Sequence, residues 1–333
     1  MAGCEESFGF YFIFVLLTYL LWMDLSFFDE LAVYGSSYNA TTASKMMFPV
    51  KSVKLRMTEH IDHYINLPLM EVTNEKLGIS NIPGVTPNVI SGLHFFCAII
   101  ACKFIVSDRL TLRRVGCVLY ELRNALDLLD GVVYRAQAHK KQFVSGWGSS
   151  GYLVDAAMDF AGGFLLGFSI GVFLQRYPPM RRVRHKKDIE AGKSLITDHY
   201  SGKNEKTSYS FVHIDRRTIN FVTFMAVVQT VARSGFWDYY VRSYHELLEV
   251  PSAQYSKELQ SEVLNYRSTW IVMWLWKISS ADAFFEFTIL AILFDKIWVW
   301  LRSVFYIGFF QFAAVLVLSQ LHLMEVRRYM NGG

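Results

Sequence analysis

The chain has 333 residues, of which 53% are hydrophobic and 16% aromatic. Soluble domains are usually about 45–50% apolar, and a composition this apolar excludes a disordered chain, a collagen-like fibre and a disulfide-stapled miniprotein. The formal net charge of +4 comes from 33 Lys and Arg against 29 Asp and Glu. So small an excess gives no argument for a nucleic-acid partner, and the positions of the charges are more informative than their sum.

Seven apolar blocks approach the length of about 20 residues that a bilayer-spanning helix needs. They lie near residues 8–23, 88–107, 114–133, 151–176, 219–241, 269–294 and 298–323. The third block is the weakest because it contains several charged residues, and each charge at mid-bilayer costs about 2.5–3.5 kcal/mol. We therefore predict an all-α integral membrane protein, with a six-helix core preceded by one extra N-terminal transmembrane helix.

This pattern divides the chain into four parts. They are an N-terminus with the extra helix (1–28), a polar or amphipathic segment (29–85), the six-helix core (86–323) and a C-terminal tail (324–333). Two histidines of the polar segment, His60 and His63, are expected on its surface.

The distribution of basic residues predicts the orientation of the spans. The segment 177–218 contains ten Lys and Arg residues, and cytoplasmic loops collect such residues. With seven crossings, this segment and the N-terminus share the cytosolic side, and the segment 29–85 is lumenal. The N-glycosylation sequon Asn39-Ala40-Thr41 lies in that segment, which agrees with the assignment.

Four aspartates flank one short loop on the predicted lumenal side. Asp127 and Asp130 are spaced i, i+3, while Asp155 and Asp159 are spaced i, i+4, so each pair shares a helix face. Two such charges 4 Å apart repel by about 4 kcal/mol at an effective dielectric near 20. This repulsion means that either some of the acids are protonated or a divalent cation lies among them. Hard carboxylate ligands suit Mg²⁺, Mn²⁺ or Ca²⁺ better than zinc.

The residues around the aspartates suit a phosphate ligand. Gly131 and Gly151 remove side chains where a ligand could approach the backbone, and Arg135 offers a planar donor fork for phosphate. Together they fit a nucleotide diphosphate held by a metal, with one acid left to activate an alcohol. A single aspartate at a helix end is usually a cap, so the interpretation depends on the combined spacing.

This pattern resembles the signature D-x2-D-G-x2-A-R-x(n)-G-x3-D-x3-D of the CDP-alcohol phosphatidyltransferase family. The matching positions are Asp127, Asp130, Gly131, Arg135, Gly151, Asp155 and Asp159, and Thr86-Pro87-Asn88 resembles the family's entry into its first core helix. The resemblance covers residues 86–323. Two features depart from the signature: Tyr134 replaces the alanine, and fifteen residues separate the arginine from the second glycine, more than is usual.

The resemblance implies transfer of a phospho-alcohol group from a CDP-linked donor to a hydroxyl, with release of CMP. It implies that the four aspartates hold the metal and that Asp159 is also the catalytic base. Gly131, Arg135 and Gly151 would then contact the donor. Separately from the resemblance, Arg233 in the block 219–241 is a candidate for either a donor phosphate contact or an ion pair with a nearby acid.

Within the family, the extra helix, the lumenal site, Tyr134 and the widened loop are similar to an insect branch. That branch transfers phosphoethanolamine from CDP-ethanolamine to ceramide, using Mn²⁺ (or Mg²⁺), at the lumenal face of the Golgi membrane. The resemblance implies a multi-pass protein with a cytosolic N-terminus, membrane lipids as partners, and the homodimer that is common in the family.

Two other functions fit parts of the sequence. One is a choline or ethanolamine phosphotransferase acting on diacylglycerol, and the other is an acid-lined membrane transporter. Charges inside the apolar blocks, such as Lys103, Arg123 and Lys277, would suit a transporter. In that case the spacing of glycines and acids would be accidental.

Overall fold

The computed structural model describes residues 2–34, 52–138, 150–184 and 209–332, and most of them are helical. The helices are α1 (Ala2–Tyr34), α2 (Val53–Met57), α3 (Leu67–Leu77), α4 (Pro87–Ile105), α5 (Leu110–Gln137), α6 (Ser150–Arg176), α7 (Arg216–Leu248), α8 (Lys257–Leu264), α9 (Arg267–Lys277), α10 (Ala281–Leu293), α11 (Ile297–Ser303) and α12 (Phe309–Gly332). The sequon at Asn39 and most of the widened loop, residues 139–149, lie outside the described residues.

Short elements complete the fold. Asp62–Asn66 and Val304–Gly308 are π-helical turns, and Ile79–Asn81 is a 3₁₀ turn. In the basic segment, β1 (Met180–Arg184) pairs antiparallel with β2 (Tyr209–His213). This pair of short strands departs from the all-α prediction. All the other described elements are helical.

Three helical stretches among the described residues are long and apolar enough to cross a membrane. They are Pro87–Ile105, Gly151–Arg176 and Ile297–Asn331. The prediction of a helical membrane protein is therefore confirmed, whereas the count of seven spans stays a prediction. Helices α5 and α7 have sufficient length, at 28 and 33 residues, but carry more charged and polar residues.

The predicted span at 269–294 is not one continuous helix, because it is broken between α9 and α10. The Ser280 side chain accepts a hydrogen bond from the backbone N–H of Ala283 and so caps α10. Arg233 of α7 donates to the Ser279 carbonyl at 2.8 Å. These two hydrogen bonds satisfy backbone groups that the ends of a helix would otherwise leave unpaired.

Helices α4 and α5 pack closely at a glycine. A Cβ atom at Gly116 of α5 would lie 2.8 Å from the Ala101 carbonyl oxygen and 2.9 Å from Ile105 of α4. Any side chain there would force the two helices apart. Ala101, Ile105 and Tyr120 are buried at this contact. The close approach fixes the distance between α4 and α5, and α5 carries the first aspartate pair.

The polar segment after residue 52 packs into the helical assembly. Val53 and Met57 are fully buried beside Tyr244 and Trp276. Arg56 is buried too, and its guanidinium donates to the Leu264 carbonyl. Because several kilocalories per mole depend on such buried apolar contacts, this segment is a structural part of the core.

Buried amides join the same segment to the core helices. The Asn66 Nδ2 atom donates to Asp62 and to Glu121 of α5, each at 2.9 Å. The Asn124 Nδ2 atom donates in turn to Glu286 of α10 at 2.8 Å. Satisfied polar networks of this kind fix one arrangement of the elements they connect.

The expectation that His60 and His63 lie on the surface is wrong. His63 is buried and accepts a hydrogen bond from Lys277 Nζ at 2.6 Å, whereas His60 lies 2.7 Å from Asp24 of α1. Polar residues in this segment pair with charged partners that are distant in sequence, so the local pattern alone gave no sign of their burial.

Glu59 lies within this buried polar layer. Its carboxylate accepts a hydrogen bond from the Asp62 backbone N–H at 2.6 Å. The pKa of Glu59 is raised to about 8, mainly by burial. The nearby carboxylates of Asp282 and Glu121 contribute to this rise, whereas the hydrogen bond from Asp62 and the charge of Lys277 oppose it. The folded protein therefore holds this proton more tightly than the unfolded chain does.

We expect stability to fall as the pH rises from 5 to 8, because the folded state must release a proton that the unfolded chain has already lost. Glu59→Gln, which stays neutral, should flatten this decline. The measurement is the thermal midpoint of detergent-solubilised protein against pH, with the exposed Glu258→Gln as control. Parallel pH profiles for Glu59→Gln and the unmodified protein would contradict the assignment.

Candidate active site

The structure brings acids from α5 and α6 together, as the spacing predicted. Asp127, Asp155 and Asp159 each place a carboxylate oxygen in one group, and all ligand atoms of the group lie within 4.8 Å of one another. The fourth member is His94 of α4, which sequence reasoning missed. This group, His94 with the three aspartates, is called the acidic cluster below.

Asp130 lies one helical turn along α5 from Asp127. Its side chain is buried, and its Oδ2 atom accepts a hydrogen bond from Ser91 of α4 at 2.7 Å. It lines the same cavity as the acidic cluster but is not one of its four members. All four predicted aspartates therefore face one cavity, with Asp130 held to α4.

Arg123 provides the basic partner of the acidic cluster. Its guanidinium contacts the Asp159 carboxylate and lies 3.7 Å from Asp127 Oδ2. Sequence reasoning treated Arg123 only as a charge inside an apolar block, although its i, i+4 spacing from Asp127 was a usable signal. Arg123 contacts only two of the four aspartates, so these four residues keep an excess of negative charge when they are ionised.

The donor set fits a divalent cation. The Oδ1 atoms of Asp127 and Asp155 are buried, and neither has a hydrogen-bond partner among the residues the structure describes. Buried carboxylate oxygens without donors are costly, and a cation would satisfy them and offset the excess charge. The predicted residues therefore fit a metal ion.

The predicted donor-binding residues take different positions. Gly131 and Arg135 line the cavity, and a Cβ atom at Gly131 would lie 3.4 Å from the Arg135 guanidinium. Arg135 Nη2 is also 3.9 Å from Glu71 of α3. Gly151 is not among the lining residues; a Cβ atom there would meet Asn88 at 4.0 Å. The glycine in α5 thus leaves room for the arginine that follows it by one turn.

Arg233 lies away from the acidic cluster and does not line the described cavity. Its guanidinium donates to the carbonyls of Ser279 and Gly308 and to Gln311, at 2.8, 3.0 and 2.8 Å. These bonds connect α7 to the break before α10 and to the turn before α12. The structure therefore gives Arg233 a packing role and does not bring it to the predicted donor site.

One cavity of about 530 Å³ joins the acidic cluster to an apolar wall. The polar end includes Lys54, Thr58, Asp62, Asp238 and Asp282 besides the four aspartates, and the apolar end is formed mainly by Phe160, Phe164, Ile170, Val227 and Leu301. Lys54, Thr58 and Asp62 come from the polar segment, to which the sequence alone assigned no role. The cavity can thus hold a molecule with a charged group together with an apolar one.

The apolar wall lies between α6 and α7, where two glycines of α6 allow close contact with neighbouring side chains. A Cβ atom at Gly167 of α6 would lie 2.5 Å from Val227 of α7, and one at Gly163 would lie 2.6 Å from the Phe285 ring. Both glycines line the cavity. Larger residues at these positions would displace the neighbouring helices and change the shape of the cavity.

A family model described as ceramide phosphoethanolamine synthase matches residues 34–332. The chain belongs to the ceramide phosphoethanolamine synthase family. A ceramide phosphoethanolamine synthase of Drosophila melanogaster is 30% identical over 283 residues, which cover 84% of this chain and 69% of that protein. No solved structure matches the chain.

Membership confirms the recognition made from the aspartate pattern, and it identifies the chain as a membrane transferase of sphingolipid metabolism. The match to the family begins at residue 34, inside the polar segment. This segment supplies Lys54, Thr58 and Asp62 to the cavity wall, so the region shared with the family is larger than the six-helix core.

Arg123→Gln should remove the basic partner of Asp159 and leave the aspartates to repel one another. We expect a loss of about 1–3 kcal/mol in unfolding free energy, less than for a fully buried pair because the Asp159 side chain is 40% exposed. Transferase activity should fall at least tenfold. Thermal unfolding and activity assays on the purified protein measure both effects.

Arg113→Gln is the matched control, because Arg113 is an equally buried arginine of α5 that pairs with Asp295 at 2.7 Å. It does not line the cavity, so activity should be retained. Equal losses of activity in the two variants would show that Arg123 has no special relation to the acidic cluster.

Proposed function

We propose that the chain transfers phosphoethanolamine from CDP-ethanolamine to the primary hydroxyl of ceramide and releases CMP. The observation that carries the proposal is the single cavity that joins the acidic cluster to an apolar wall. A nucleotide-linked phosphate suits the charged end, and the acyl and sphingoid chains suit the apolar end. The name of the family and of the Drosophila relative supports the same substrates.

Asp127, Asp130, Asp155 and Asp159 are the carboxylates that would hold a divalent cation, Mn²⁺ or Mg²⁺, and this ion would neutralise charge on the donor pyrophosphate. Arg135 and Lys54 line the same end of the cavity and add positive charge for the phosphates. These contacts orient the ethanolamine-bearing phosphorus toward the acceptor.

Asp159 is the proposed general base. Its side chain is 40% exposed, more than the 25% of Asp127, and its carboxylate is oriented by Arg123. Asp159 takes the proton of the ceramide hydroxyl while the hydroxyl oxygen bonds to the ethanolamine-bearing phosphorus. The bond from that phosphorus to the CMP oxygen breaks, and CMP leaves with the bonding electrons.

The membrane arrangement that accompanies this function has seven crossings. These are α1, α4, α5, α6, α7, the broken pair α9 and α10, and the pair α11 and α12. The basic segment with β1 and β2 is then cytosolic, whereas the acidic cluster opens to the Golgi lumen. The apolar wall between α6 and α7 gives ceramide a route from the bilayer, so orientation of a membrane-held acceptor contributes to the rate.

Asp159→Asn should lower kcat for CMP release by about 100-fold or more, because positioned general bases contribute about 10²–10⁴. Binding of CDP-ethanolamine should weaken much less. The assay uses purified protein with CDP-ethanolamine, ceramide and Mn²⁺, with CMP as the measured product. Asp295→Asn, a change of the same kind outside the cavity, should keep its activity.

The same assay with diacylglycerol in place of ceramide distinguishes the main alternative. Product from diacylglycerol and none from ceramide would replace the proposed acceptor. Failure of the protein to bind CDP-ethanolamine with any divalent ion would instead favour the transporter hypothesis.

Asn39 should carry a glycan in cells if the segment 29–85 is lumenal. The Asn39→Gln variant should migrate faster on a gel than the unmodified protein, and glycosidase treatment should remove the difference. A sequon placed at residues 190–200 of the basic segment should stay unmodified. Glycosylation there, with Asn39 bare, would reverse the proposed topology.

A further inference from the structure

Helix α4 presents two polar side chains to the acids of α5. Thr86 caps the helix and Pro87 begins it, so the register of its first turns is fixed. Ser91 and His94, one turn apart, then face Asp130 and Asp127, which are also one turn apart. The serine makes a hydrogen bond of 2.7 Å, but the histidine does not.

His94 is fully buried, and neither ring nitrogen has a hydrogen-bond partner among the described residues. Its Nε2 atom lies 3.6 Å from Asp127 Oδ1, which also lacks a hydrogen-bond partner. A buried polar atom without a partner costs about 1–3 kcal/mol. One ligand bound by both atoms would remove this cost.

The separation fits two ligands of one ion. Protein nitrogen and oxygen ligands lie about 2.1 Å from ions of this size, so two of them on one ion are roughly 3.0–4.2 Å apart. The 3.6 Å distance falls inside this range and beyond the length of a hydrogen bond. The two carboxylate oxygens of Asp127 have different neighbours: Oδ2 lies near Arg123, and Oδ1 lies near His94.

We infer that His94 is a nitrogen ligand of the cation held by Asp127 and Asp155. This rests on the proposed function only in placing that cation in the same site. Both ions bind carboxylate oxygens, but Mg²⁺ is a hard cation that takes oxygen ligands, whereas the first-row transition-metal ion Mn²⁺ also accepts a nitrogen ligand. His94 therefore makes the site prefer Mn²⁺ over Mg²⁺, a property that four aspartates alone would not provide.

The direct test is pulsed electron paramagnetic resonance of Mn²⁺ added to the full-length purified protein without substrates. Nitrogen coupling to the bound ion is expected, and selective ¹⁵N labelling of histidine should change the modulation from the ¹⁴N to the ¹⁵N pattern. Bound Mn²⁺ with no nitrogen coupling, or no binding of Mn²⁺ at all, would overturn the inference. This measurement needs no variant, so it stands even if a substitution at His94 prevents folding.

His94→Gln gives the second measurement, because glutamine offers an oxygen in place of the ring nitrogen. We expect the nitrogen coupling to disappear and the Kd for Mn²⁺ to rise about 10- to 100-fold. The Kd for Mg²⁺ should change less than about threefold, so the preference moves toward Mg²⁺. Equal losses of affinity for both ions would assign His94 to the positioning of Asp127 alone and overturn the inference.

The matched control is His322→Gln. His322 is also a buried histidine, but it lies 2.8 Å from the Tyr244 hydroxyl, away from the acidic cluster. This variant should keep both the nitrogen coupling and the ion preference. A protein that shows the coupling but releases no CMP from CDP-ethanolamine and ceramide would refute the proposed function and leave the metal assignment intact.

Discussion

Mutual repulsion of the aspartates on α5 and α6 is the constraint on which the site depends. Carboxylates gathered inside a helical membrane protein repel strongly, because little water is present to screen them. Arg123 compensates part of this charge from within α5. A divalent cation would offset the remainder, and the same cation would neutralise the pyrophosphate of the proposed donor. The repulsion among the aspartates would therefore also favour binding of the cation that the proposed reaction uses.

Close packing and buried hydrogen bonds hold the helices that carry these charges in place. Gly116 lets α4 and α5 approach closely, and this brings Ser91 and His94 to the acids. On the other side of α5, the amides of Asn66 and Asn124 connect Glu121 to the polar segment and to α10. The polar segment therefore closes the assembly and also forms part of the cavity wall.

Much of the site could be predicted from local spacing. The i, i+3 and i, i+4 aspartates share helix faces in any α-helix, so their convergence needed only the additional expectation that neighbouring helices pack together. Arg233 shows the limit of such reasoning. An arginine inside an apolar block needs polar partners, and the sequence did not distinguish a donor phosphate from the carbonyls at the break before α10.

The sequence by itself determined the helical membrane class, the four aspartates and the family, because these depend on composition and on spacing within single helices. Only the tertiary structure decided the places of His94, Arg123 and the polar segment. Their contacts join residues far apart in the chain, and a side chain's partner across a helix interface depends on helix rotation and register. Periodicity within one helix does not determine either quantity.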